Sequence, residues 1–172
     1  LLPLADGPIS GNARDCAYWL AKKDGSRIHA LAVIDVKAFE IPVLGAPDGF
    51  MPSVVTPSLE ESRTLLDEMA STAKENLGKF AAECAARGIP CSIDIKTGVP
   101  GDLITREAIA HDIIVMARTG YSRLAGAQEK VDPLVTQVLR GSIRPVIVAG
   151  RTFREGTDLR TLVVAFDGSM HA

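Results

Sequence analysis

Apolar residues along this chain fall in short runs, separated by longer stretches in which apolar side chains return at every third or fourth position. The runs are LLPLA (1–5), RIHALAVIDV (27–36), PCSIDIK (90–96), DIIVMA (112–117) and PVIVA (145–149), and they predict five strands. The helical period predicts helices near 10–23, over 59–87, near 101–110 and near 133–141. Apolar strands alternating with helices predict an α/β fold, a parallel sheet with helices on both faces. Pro3 has no N–H for a central ladder, so a bulge or a strand entry is expected there.

Within 59–87, Leu66, Met69, Ala73, Leu77, Phe80 and Cys84 form one apolar stripe, which reads as core. A helix of that length spans roughly 42 Å against roughly 20 Å for a six-residue strand, so its N-terminal half should overhang the sheet. The preceding stretch, 37–58, holds four prolines and two glycines and reads as an irregular surface excursion.

After the fifth strand the chain continues through a polar linker, 150–159, into TLVVAFDGSM, an apolar run turned by Asp167-Gly168. LLPLADGPIS (1–10) laid over LVVAFDGSMH (162–171) matches Leu, Asp and Gly at one constant offset. Both places are the end of a strand turning into a helix, so 160–172 reads as the first strand and turn of a second copy, after a first domain at 1–149. Leu1 and Ala172 then read as edges within a longer protein.

Composition narrows the partners. The net charge of −2, with dispersed basic residues, gives no footprint for a nucleic-acid backbone. No apolar run approaches the roughly 20 residues needed to cross a bilayer, so no membrane partner is expected. Cys16, Cys84 and Cys91 contain no C-x-x-C pair and leave an odd thiol, which points to a reduced compartment, the cytoplasm.

In an open α/β sheet, ligands bind beyond the carboxyl ends of the strands. Two segments meet that condition: ADGPIS after the first strand, and ARTGYSRLAGAQEKVDP after the fourth, with Arg118, Gly120, Arg123, Gly126 and Lys130. Each precedes a helix whose free N–H groups favour an anion, so a phosphate-bearing ligand is conceivable. His29 and His111 read as isolated structural residues. Ser122 and Ser142 have no evident base or nucleophile elbow, and no metal-ligand spacing is present.

ADG after the first strand, AVIDV closing the second, DIIVMARTG, and VTQVLRGSIRPVIVA together resemble the universal stress protein family over residues 1–149. The resemblance implies an open five-stranded parallel sheet of order 3-2-1-4-5, adenine-nucleotide α-hydrolase-like, with ATP-binding and non-ATP-binding branches. It assigns the nucleoside end to Asp6, Gly7 and Val33, with Met116 leading into a phosphate motif, G-x2-G-x9-G-[ST]. Gly120 matches that motif's second glycine, and Arg118 and Arg123 lie on the same loop; Asp167 and Gly168 are the second-copy counterparts of Asp6 and Gly7. Ala117 replaces the first glycine, the loop is longer than the motif, and Asp132-Pro133 replaces Gly-Ser. Asp before Pro caps a helix by itself and sets a carboxylate where a phosphate would sit. The resemblance thus implies a stress-response binding module in which ATP or another adenine nucleotide is bound weakly or not at all. Its expected partner is a second such domain or a homodimer mate, paired through the edge strand 145–149. The alternatives are an ATP-hydrolysing or adenylyl-transferring enzyme of the same α/β group, or a binder of a non-nucleotide ligand.

Overall fold

The computed structural model describes residues 1–4, 11–35, 59–119, 121, 131–158, 160, 161 and 163, with backbone alone at 59–62. In chain order the elements are β1 (Leu2–Leu4), α1 (Gly11–Asp24), β2 (Ile28–Asp35), α2 (Leu59–Ala86), β3 (Cys91–Gly98), α3 (Pro100–Glu107), β4 (Ile114–Ala117), α4 (Pro133–Gly141) and β5 (Val146–Ala149). A 3-10 turn, Ala108–Ala110, extends α3 to the end of the predicted helix. The chain leaves α1 through Gly25 and α2 through Gly88, whose φ values of 65° and 68° are left-handed and suit glycine at a helix C-terminus.

Among the described residues all strand pairs are parallel, in two ladders, β1-β2-β3 and β4-β5. The ladders meet at Leu1, whose nitrogen donates to Ile113 C=O at 2.8 Å and whose C=O accepts from Val115 N–H at 2.9 Å. That junction gives the spatial order 3-2-1-4-5. Continuing its register would bring residue 3 to donate to Val115 C=O, and residue 3 is proline. Proline has no N–H for that bond, and Ala117 N–H, which the same register would bring to the residue 3 carbonyl, donates to Tyr121 Oη instead, so the ladders separate here. The β1–β2 register runs through Pro3 without a bulge, one residue inside the strand's start.

Strand alternation sorts the core into two layers. Ile28, Ala30 and Ala32 of β2 pack with Val115 and Ala117 of β4 against α1 and α2, through Tyr18, Leu77 and Phe80. Leu31 and Val33, with Ile114 and Met116, face α3 and α4 through Ile104, Val135 and Val138. Period-two alternation inside strands buried on both faces produces this division. The rings of Tyr18 and Phe80 stack at 5.6 Å. On α2, the stripe is buried from Ala73 onward, at Leu77, Phe80 and Cys84, while Leu66 and Met69 are half-buried, as expected of a helix longer than the sheet. Gly101 permits close approach of α3 to α4, since a Cβ there would collide with the side-chain amide of Gln137.

The polar linker, largely exposed, is anchored at Gly150, Phe153 and Glu155. Phe153 meets Trp19 edge to face at 6.0 Å, and Glu155 receives Lys22 at 2.6 Å and Arg87 at 2.5 Å. Asn12 Nδ2 donates to Gly150 C=O at 2.6 Å. Beyond it only Arg160, Thr161 and Val163 are described, with Val163 85% exposed; the rest of the proposed second-copy strand lies outside the described residues.

Candidate functional site

At the carboxyl end of β4, among the described residues, the N–H groups of Ala117, Tyr121, Asp132 and Leu134 are all taken up within the protein. Ala117 N–H donates to Tyr121 Oη at 2.9 Å, and burial pushes the Tyr121 phenol above its ordinary range. Eleven residues on, Asp132 closes the loop: its N–H donates to Arg118 C=O at 3.0 Å. Its carboxylate accepts from Tyr121 N–H through Oδ2 and from Leu134 N–H through Oδ1, both at 3.0 Å. Asp132 is 4% exposed, caps α4, and is followed by Pro133 at the first helical position, as the sequence pattern predicts.

A helix N-terminus is a ready anion site when its N–H groups are open to a ligand. Here one carboxylate serves both the α4 N-terminus and the loop end, so a negative group already sits there. Tyr121 is the participant that the sequence reading missed. Its only signal was a lone aromatic beside Gly120 in a polar loop.

Of the residues expected to meet a nucleotide, Val33 and Met116 come together in one buried cluster on the α3–α4 face, 6% and 0% exposed. Their side chains are core. Arg118 is exposed at the end of β4. Asp6, Gly7, Gly120, Arg123, Asp167 and Gly168 lie outside the described residues.

A second grouping lies at the opposite, amino-terminal end of the strands and corrects the reading of two histidines as isolated. His29 and His111 stack, ring centroids 4.9 Å apart, with Glu107 beside them. Topology explains the meeting. His29 shares the parity of Leu31 and Val33, so it points toward α3, whose last residue is Glu107 and whose 3-10 extension delivers His111. His29 Nδ1 lies 2.8 Å from Ser92 Oγ on the register-paired residue of β3, and its Nε2 is 3.8 Å from Glu107 Oε1. Lys96 pairs with Glu107 Oε2. Desolvation by burial lowers the His111 pKa, and the neighbouring His29 adds to it. A cavity of about 530 Å³ at the same end of the sheet is lined by Leu2, Leu20, Gly25, Arg27, His111 and Asp112 among others.

Comparison with known proteins agrees with this architecture. A model of the universal stress protein family matches residues 1–149. No curated protein sequence matches the chain. Among solved structures, a hypothetical protein whose biochemical function was assigned from its structure is 20% identical with a TM-score of 0.66, the match covering 86% of this chain and 92% of that one. Universal stress protein UspA from Lactobacillus plantarum is 21% identical with a TM-score of 0.65, covering 87% and 96%. The universal stress protein from Archaeoglobus fulgidus in complex with dAMP is 14% identical with a TM-score of 0.53, covering 87% and 94%. At these identities the likeness establishes the fold, an open parallel α/β sheet covered by helices.

Proposed function

The chain belongs to the universal stress protein family, and from that premise we propose that it is a stress-response binding module with an adenine-nucleotide crevice degraded at its phosphate end. The nucleoside end would be held at the carboxyl ends of β1, β2 and β4, by Asp6 and Gly7 and the strand ends that carry Val33 and Met116. Support for the nucleotide class comes from the family and from the Archaeoglobus fulgidus relative with dAMP.

The observation that carries the degraded phosphate end is the buried carboxylate of Asp132, which accepts from Tyr121 N–H and Leu134 N–H. A phosphate arriving there would meet a like charge and donors already engaged. Two unit charges at 4 Å repel by about 1 kcal/mol in bulk water and by about 4 kcal/mol at an effective dielectric of 20. Adding phosphates therefore makes the ligand worse. Calorimetric titration tests this: AMP should bind more tightly than ATP. Asp132→Gly with Pro133→Ser, which removes the charge and restores an N–H, should raise ATP affinity. ATP binding to the unchanged chain more tightly than AMP would refute the reading.

We also infer that 160–172 begins a second copy of the fold. Its support is the matched LLPLADG and LVVAFDG turns, together with β5, which pairs only with β4 among the described residues. That edge would face the second domain, or a second chain. Scattering from the extended gene product checks it, one chain of two domains against a dimer of single ones.

A further inference from the structure

We propose that His29, Glu107 and His111 form a binding site for a divalent late first-row transition ion such as Zn2+, on the opposite end of the sheet from the nucleotide crevice. One ligand atom from each of the three lies within 4.8 Å of the others. Donors around a tetrahedral zinc with 2.0–2.1 Å bonds sit roughly 3.4 Å apart, so small side-chain rotations close the set. His29 Nε2 is already 3.8 Å from Glu107 Oε1.

The surroundings prepare two of the three ligands. With its proton on Nδ1, His29 donates to Ser92 Oγ at 2.8 Å, and this leaves the Nε2 lone pair facing Glu107. A metal-bound histidine characteristically donates its other ring N–H to a fixed acceptor, and that partner sets both tautomer and ring orientation. His29 Nε2 is buried and has no hydrogen-bond partner among the described residues, which is uncommon for a polar atom in a folded chain. An ion bonded to Nε2 would satisfy it. Lys96 engages Glu107 Oε2 and so leaves Oε1 toward the imidazoles. The same lysine brings a positive charge to the site and sets its affinity below that of a closed structural zinc centre.

Two imidazoles and one carboxylate prefer zinc, copper, nickel or cobalt to magnesium or calcium, which take oxygen ligands. All three side chains are half-buried, so water can reach the remaining coordination positions. The 77 residues that lie between His29 and Glu107 hide this site from any spacing rule. It depends on no part of the nucleotide reading, and nucleotide titrations do not bear on it.

The experiment is a titration of the chain with Zn2+ alone, followed by calorimetry and by the imidazole resonances in NMR. One ion per chain is expected, with His29 and His111 rings shifting and His171, the remaining histidine, unmoved. His29→Gln, His111→Gln and Glu107→Gln should each weaken binding at least ten-fold in folded protein, and Ser92→Ala should weaken it with rescue by Ser92→Thr. Cys84→Ser and Cys91→Ser should change nothing, and Mg2+ should not compete. Binding that persists through the three ligand substitutions, binding lost in the cysteine variants, or rings of His29 and His111 that do not respond to Zn2+ would overturn the proposal. The ring resonances need no substitution, so the outcome does not depend on how the variants fold.

Discussion

Replacing Asp132 by alanine should act in opposite directions on stability and on anion binding. The carboxylate is buried at 4% exposure and accepts from Leu134 N–H, as the α4 cap, and from Tyr121 N–H, at the loop end. Losing an N-cap costs about 1 kcal/mol. Losing a hydrogen bond to a charged group costs about 1.5–3 kcal/mol more, because the Tyr121 N–H would be left without its acceptor. The sum is about 2.5–4 kcal/mol, or roughly 5–15 °C in Tm for a domain of this size. Asparagine is as good a cap but offers one acceptor oxygen where two are used, so Asp132→Asn should fall between wild type and alanine. Thermal and urea denaturation followed by circular dichroism measure these changes. Affinity for ATP should meanwhile rise at least five-fold on loss of the charge, since even the weak repulsion across bulk water is about 1 kcal/mol. An alanine variant that melts within about 1 °C of wild type would refute the structural role; one that is destabilised but binds ATP no better would refute the role of charge repulsion and leave loop length as the obstacle.

Other expectations follow from particular contacts. Hydrogen bonding to Lys22, then to Arg87, holds the Glu155 carboxyl below its ordinary value of 4.5. Its contribution is therefore full above 4.5 and is lost as pH falls through the lower folded value. The 150–158 segment should loosen in that acid window, as followed by emission of Trp19, the sole tryptophan, against which Phe153 packs; Glu155→Gln should show the loosened signal at neutral pH. Phe80→Ala, at a residue 1% exposed and stacked on Tyr18, should cost about 3–5 kcal/mol in urea unfolding. Pro3→Val supplies an N–H opposite Val115 C=O, and that new amide should show slow hydrogen exchange if the two ladders then join; fast exchange would mean that Pro3 is not the cause of the break.

Much of this architecture could be read along the chain. The period of the apolar residues is a local property, and it placed the five strands and four helices of the described residues, because strands buried on both faces such as β2 and β4 leave apolar runs and α2 leaves a stripe. Asp132-Pro133 was equally legible: a cap and a first-turn proline act on their own neighbours, and the structure has both in those roles. Contacts made across the fold were not legible. His29 joins Glu107 and His111 because β2 parity aims it at α3, and nothing in the sequence around His29 encodes that direction. Tyr121 reaches back to Ala117 N–H, and the polar linker is held through Phe153 and Glu155, because α1 and α2 present Trp19, Lys22 and Arg87 where it passes. Pro3 stands between these cases: its missing N–H is written in the sequence, but which carbonyl goes without that donor was decided by the strand that lies beside it. Periodicity, caps and breakers act over a few residues and leave their mark in the chain; partners brought from far apart are chosen only when the sheet has formed.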